Sequence, residues 1–81
     1  MFTTNKYKLL KEKYPDALIL FRLRDFYYSC DEDAEKIGKT LGITVTEIGS
    51  ERIAKFRFFK LDKYLKKFVR AGHRVAICEA L

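Results

Sequence analysis

Tryptophan is missing from this chain, and proline, methionine and histidine occur once each. With only four glycines in 81 residues, nothing in it reads as a linker, a repeat or a low-complexity tract. Two cysteines, Cys30 and Cys78, are too few and too far apart for a disulfide framework. Both sit among apolar or aromatic neighbours and are expected to be buried thiols in a reducing compartment. A zinc site needs about four ligands at close spacing. One histidine and two distant cysteines fall short of that, so no structural metal and no cofactor are expected. No apolar run approaches the roughly 18 residues of a membrane span. No charged, apolar, then small-residue leader opens the chain either, so a cytoplasmic protein without a membrane partner is expected.

What is present is an ordinary globular composition, 48% apolar and 15% aromatic, in a length that suits one domain. The net charge is +6, unevenly placed. Residues 1–40 carry eight Lys/Arg against seven Asp/Glu, whereas residues 41–81 carry nine against four. All nine lie between Arg52 and Arg74, where Asp62 is the only acid. Such a local excess fits a footprint for a polyanion. It fits equally a solvated face that keeps the domain soluble.

Periodicity divides the chain into eight elements. In "NKYKLLKEKY", Tyr7, Leu10 and Tyr14 recur at helical spacing, which predicts a helix from about Thr4 to Tyr14, ended by Pro15. "ALILFRL" has the length and composition of a strand buried on both faces. "RDFYYSC" follows with almost no turn and is expected to pair with it as a hairpin or a bent continuation. In "SCDEDAEKIGKTLG", Ser29 and Glu32 have capping-box spacing. There Asp31, Glu32 and Asp33 suit the positive end of a helix, Ala34, Ile37 and Leu41 form its buried stripe, and Gly42 stops it. "ITVTEI" and "RIAKFRFF" alternate as strands, with Ala54, Phe56 and Phe58 on one side and Lys55 and Arg57 on the other. "LDKYLKKFVRAG" places Leu61, Tyr64, Leu65, Phe68 and Val69 on one helical stripe and Lys63, Lys66, Lys67 and Arg70 opposite, with Gly72 closing the helix. "HRVAIC" is the last buried strand. The predicted class is α/β (α+β): a small mixed sheet of about five strands under three helices, in the order α-β-β-α-β-β-α-β.

The stretch "FRLRDFYYSC" poses the functional question. Phe26, Tyr27 and Tyr28 cannot all lie on one face of a strand, because successive side chains alternate. At least one of them must leave the core. "YPDALILFRLRDFYYSCDEDAEKIGKTLGITVT", with "YLKKFVRAGHRVAICEAL" near the end, resembles the N-terminal domain (domain I) of the DNA mismatch-repair MutS proteins. The likeness runs from about Tyr7 to Glu79 and rests on the order and spacing of its motifs together. It implies a mixed α/β domain that touches mismatched or intact duplex DNA from the minor groove. A Phe of a Phe-x-Glu pair would wedge at a mispaired base, losing stacking to gain a bend. Position by position, Phe26 matches the wedge, Asp25 the acid before it and Tyr27 the middle residue. The chain departs where the family's Glu is Tyr28 and its Gly is Arg24. It departs again where the Ala-Gly-x-Pro segment reads "AKFR", residues 54–57. A tyrosine stacks or donates a hydrogen bond but presents no carboxylate. The resemblance places Phe26 outside the core, within reach of the basic flank, with Tyr28 on its side and Tyr27 inward; the alternative is that Phe26 and Tyr28 are ordinary sheet aromatics covered by a helix.

The nucleic-acid-binding candidates are therefore Arg24, Phe26, Tyr28, Lys55, Arg57, Lys63, Lys66, Lys67 and Arg70, in a DNA-binding module that is not an enzyme. No Gly-rich phosphate loop is present, so no ATPase is expected. The initiating Met and the helix start point to a standalone relative; an excised domain is the alternative. Two other functions stay open. One is a protein-interaction module in which the basic helix meets an acidic partner; separately, a homo-oligomer is an option for a domain that works alone. The other is a metal-dependent nuclease, for which Asp16, Asp25 and Glu79 would have to converge at strand ends. Against the nuclease, no lysine has an acid two residues before it. His73, with no nucleophile at obvious reach, reads as structural or phosphate-contacting.

Overall fold

A computed structural model describes residues 5–79. The elements run α1 (Asn5–Lys13), β1 (Ala17–Leu23), β2 (Phe26–Cys30), α2 (Asp31–Leu41), β3 (Thr46–Ile48), β4 (Glu51–Arg57), a 3₁₀ turn (Phe58–Lys60), α3 (Leu61–Arg70) and β5 (Arg74–Glu79). The five strands form one mixed sheet in the order β3-β4-β2-β1-β5, with β5 parallel to β1 and every other pairing antiparallel. This is the α+β fold and element order that periodicity predicts. Thr4, the expected first residue of α1, lies outside the described residues.

Alternation along the strands sends side chains to two cores. Leu18, Leu20, Tyr27, Ala54 and Phe56 meet Ala34 and Ile37 of α2 and Phe68 of α3 on one face. Ala17, Ile19, Phe21, Cys30 and Ile53 meet Tyr7 of α1 on the other. β1 is buried on both faces because it is central and helices flank it, as its unbroken apolar run foretells.

Several local expectations are corrected. Ser29 does not cap α2; it lies within β2, and its buried hydroxyl donates to the Ile19 carbonyl. Cys30 occupies the N-cap position without a side-chain cap bond. Asp33 lies in the first turn of α2 as expected, but it is fully buried there, accepting from the Tyr7 hydroxyl (2.8 Å), the Lys11 ammonium (2.8 Å) and the Ile19 N–H (3.2 Å). Only Thr46–Ile48 of "ITVTEI" is strand; Ile43 and Val45 instead pack as irregular backbone on the α2–α3 core. Val69 leaves the buried stripe of α3 and is 64% exposed. β5 is an edge strand with one neighbour, so Arg74, Ile77 and Glu79 face solvent and Cys78 is only half-buried.

Candidate nucleic-acid interface

The segment that joins β1 to β2 has two residues, Arg24 and Asp25, between the paired Leu23 and Phe26. Arg24 has φ +56°, in the left-handed region that a two-residue hairpin turn usually gives to glycine. A glycine there, as the resemblance implies, would have a backbone reason, and arginine meets the same turn with strain. The loop is tied from two sides. Arg22 Nε donates to the Arg24 carbonyl (3.1 Å), and the Phe58 N–H donates to the Asp25 carbonyl (2.9 Å).

β2 leaves this loop paired with β4, Phe26 opposite Arg57 and Tyr28 opposite Lys55. These four side chains share the face that carries α1, and the Phe26 and Tyr28 rings lie 6.1 Å apart. Both Phe26 and Tyr28 are half-buried. The Phe26 ring is bracketed by two cations, Lys55 Nζ at 4.7 Å and Arg57 Cζ at 4.9 Å from its centroid. Contacts of this kind contribute about 0.5–1 kcal/mol each at exposed sites.

Tyr27 takes the opposite face and is 3% exposed. Its hydroxyl donates to Glu79 Oε2 at 2.8 Å, and its ring lies 5.7 Å from that of Phe56. Burial raises its phenol pKa above the ordinary value, and the bond to Glu79 adds to the shift.

The structure does not bring all nine candidates together. Arg24, Phe26, Tyr28, Lys55 and Arg57 gather at the hairpin end of the α1 face. Lys63, Lys66, Lys67 and Arg70 are exposed on α3, which covers the other face. The expectation that Phe26 stands beside the lysine-rich helix is corrected: the sheet separates them. The cations adjacent to the ring are strand residues, placed there by the register of β2 and β4.

The nuclease alternative loses its geometry. Asp16 precedes β1, whereas Asp25 and Glu79 lie at the far ends of β1 and β5, a whole strand away. Among the described residues no group of three or more His, Cys, Asp or Glu side chains is placed to hold a metal ion. His73 Nε2 lies 3.4 Å from Thr40 Oγ1, a contact between α2 and the start of β5.

Four residues at the same sheet end escaped sequence reasoning. "RIAKFRFF" does not continue as a strand: after Arg57 the chain turns into the 3₁₀ segment, and Phe58 and Phe59 both emerge exposed. Arg22 stacks on Phe58, with Cζ 4.2 Å from the ring centroid, and Lys60 closes the turn. Alternation alone does not find them, because this sheet has a core on each face and consecutive apolar residues such as Leu20 and Phe21 are both buried.

No helix among the described residues is long and apolar enough to cross a membrane. Residues 3–81 match the family model described as MutS domain I. Among curated proteins, the chain is 49% identical over 76 residues to the DNA mismatch repair protein MutS of Thermosipho melanesiensis, 94% of this chain and 9% of that protein. It is 48% identical over 81 residues to MutS of Cytophaga hutchinsonii (94% of this chain, 10% of the other). It is 51% identical over 77 residues to MutS of Phocaeicola vulgatus (89% and 9%). The chain thus spans about a tenth of the length of the curated relatives it matches. A match over nearly the whole chain, on the fold described above, means that this protein belongs to the MutS domain I family.

Proposed function

We propose that the chain is a DNA-binding module of the mismatch-recognition kind, in which Phe26 probes base steps and Lys55, Arg57 and Arg24 hold the flanking phosphates. The observation that carries this reading is the Phe26 ring, half-buried at a sheet end and bracketed by Lys55 and Arg57. An apolar ring between two cations suits a site where a base step is pried apart while its phosphates are neutralised. The names of its relatives, DNA mismatch repair proteins, support the same class of ligand. Tyr28, standing where the family has an acid, stacks or donates a single hydrogen bond, so discrimination rests on the lower bending cost of a mismatched step. Lys63, Lys66, Lys67 and Arg70 act from the other layer, through the long-range field that draws DNA in. No catalytic step is assigned, and the activity of the full-length relatives would need the rest of such a protein.

The test compares binding of homoduplex, single-mismatch duplex and single strand by the parent chain and by Phe26→Ala, across a salt series. Loss of one base-stacking aromatic is worth about 1–3 kcal/mol, so duplex affinity should fall at least fivefold. Equal binding by parent and Phe26→Ala to every substrate would remove the wedge.

The separation of α3 from Phe26 also favours a second reading, an acidic protein partner on the α3 face. Lys66→Glu with Lys67→Glu tells them apart: slower DNA association supports the field role, and unchanged association leaves that face to a protein.

A further inference from the structure

Beyond Phe26, we propose a second base-stacking site, Phe58 and Phe59 on the 3₁₀ turn, that takes an unpaired nucleobase of single-stranded DNA. Phe59 is 65% exposed and Phe58 37%, although the core on that side is closed by Phe56, Phe68 and Leu61. Leaving a phenylalanine outside the core forgoes about 1.5–3 kcal/mol of burial. Two adjacent ones mark a surface that a ligand covers.

The platform is tied to its surroundings without being covered. The Phe58 N–H is held by the Asp25 carbonyl (2.9 Å), and the Leu61 N–H closes the turn on the Phe58 carbonyl. The Phe58 ring is stacked under Arg22, which the Glu79 carboxylate steadies at 3.7 Å. The Phe59 ring meets it edge-on, with centroids 5.8 Å apart and planes at 83°. Arg57 and Lys60 flank the pair along the chain, and Arg24 adjoins Asp25, whose carbonyl holds the Phe58 N–H. Glu79 is already engaged by Arg22 and Tyr27. Charge complementarity therefore selects a polyanion, and two exposed aromatics select one whose bases are free to stack. Single-stranded DNA has both properties; an intact duplex hides its base faces. Because the turn follows directly on Arg57, which is paired with Phe26, both sites lie at one end of the sheet. A strand opened at Phe26 would find its next bases received at Phe59. This inference shares only its ligand class with the proposed function.

The experiment uses the chain's lack of tryptophan. Phe59→Trp introduces a lone tryptophan, excited to the red of the five tyrosines, whose fluorescence is quenched when a base stacks on it. Titration with an oligothymidylate should quench it, with a midpoint matching that from anisotropy of labelled oligonucleotide. Phe59→Ala and Phe59→Leu should each weaken single-strand binding at least fivefold, while Phe59→Trp retains it, because stacking needs a π face and not merely apolar area. Their duplex affinity should change less than that of Phe26→Ala. The platform is overturned if Phe59→Ala keeps single-strand affinity within twofold, or if Phe59→Trp is unquenched at saturating oligonucleotide. It is equally overturned if the parent binds only duplex. In each of those cases a duplex defect in Phe26→Ala would still stand for the first site, so the two failures are distinguishable.

Discussion

Tyr7 joins more of the molecule than any sequence pattern suggests. Its hydroxyl accepts from the Cys30 N–H (3.0 Å) and donates to Asp33, linking α1 to the end of β2 and the first turn of α2. Lys11 completes the clip by donating to both Asp33 and the Ala17 carbonyl (2.7 Å). Burial is the largest influence on the Tyr7 phenol and raises its pKa far above the usual tyrosine range; the Cys30 N–H lowers it and the Asp33 carboxylate raises it further. Tyr7→Phe should therefore cost about 1–3 kcal/mol in urea unfolding, since it orphans a buried N–H. The pH consequence has a definite sign. Below about pH 10 the phenol is neutral in both states, and its raised folded pKa keeps it neutral in the fold after the unfolded chain ionises. Stability should thus be intact at neutral pH and fall as pH rises above about 10, more steeply in the parent than in Tyr7→Phe. Arg24 makes the opposite case. Its left-handed backbone costs about 1 kcal/mol in a residue with a Cβ, so Arg24→Gly should raise the melting temperature, partly offset by the greater freedom of glycine when unfolded.

Among the elements, α2 shows how a helix is shaped by what crosses it. Gly38 lies in its interior, where alanine is ordinarily favoured by about 1 kcal/mol. Here an added Cβ would come within 2.8 Å of Val45 Cγ2 and 3.2 Å of the Ile43 carbonyl oxygen. The chain after Gly42, which ends the helix at φ +71°, folds back over that spot. Gly38→Ala should therefore destabilise by about 1 kcal/mol despite its better propensity, because a backbone carbonyl cannot swing aside as a long side chain can. α3 obeys its amphipathic pattern more closely. Phe68 is fully buried and packs 6.4 Å from Phe56, ring to ring, and Phe68→Ala should cost about 3–5 kcal/mol in chemical denaturation. Its exposed Lys63, Lys66, Lys67 and Arg70 should be nearly neutral for stability.

For the whole molecule, the decisive fact is that the sheet divides the positive charge into two layers. Lys55 and Arg57 contact the Phe26 ring; the cations of α3 do not share its face. The layers should separate in binding kinetics. Removing Arg57 should speed dissociation and reduce the salt slope by about one unit if it neutralises one phosphate. Reversing Lys66 and Lys67 should chiefly slow association at low salt and lose its effect once the Debye length falls to about 3 Å near 1 M. Stopped-flow binding at two ionic strengths checks both.

Much of this fold was written in local pattern. The doubly apolar "ALILFRL", the stripes of α2 and α3 and the stop at Gly42 each follow from a period or a backbone preference that a few neighbouring residues settle. The split of Phe26 and Tyr28 from Tyr27 is equally local, whereas the second core that Tyr28 packs against is not. Tertiary structure alone decided the rest. Ser29 became a strand hydroxyl and Asp33 a buried acceptor because their partners, Ile19, Tyr7 and Lys11, are distant in sequence. Strand order made β5 an edge and set Lys55 and Arg57 against Phe26, and a turn exposed Phe58 and Phe59 where alternation promised a longer strand. Periodicity tells a residue which side of its own element it takes. Only pairing between elements tells it which neighbours wait on that side.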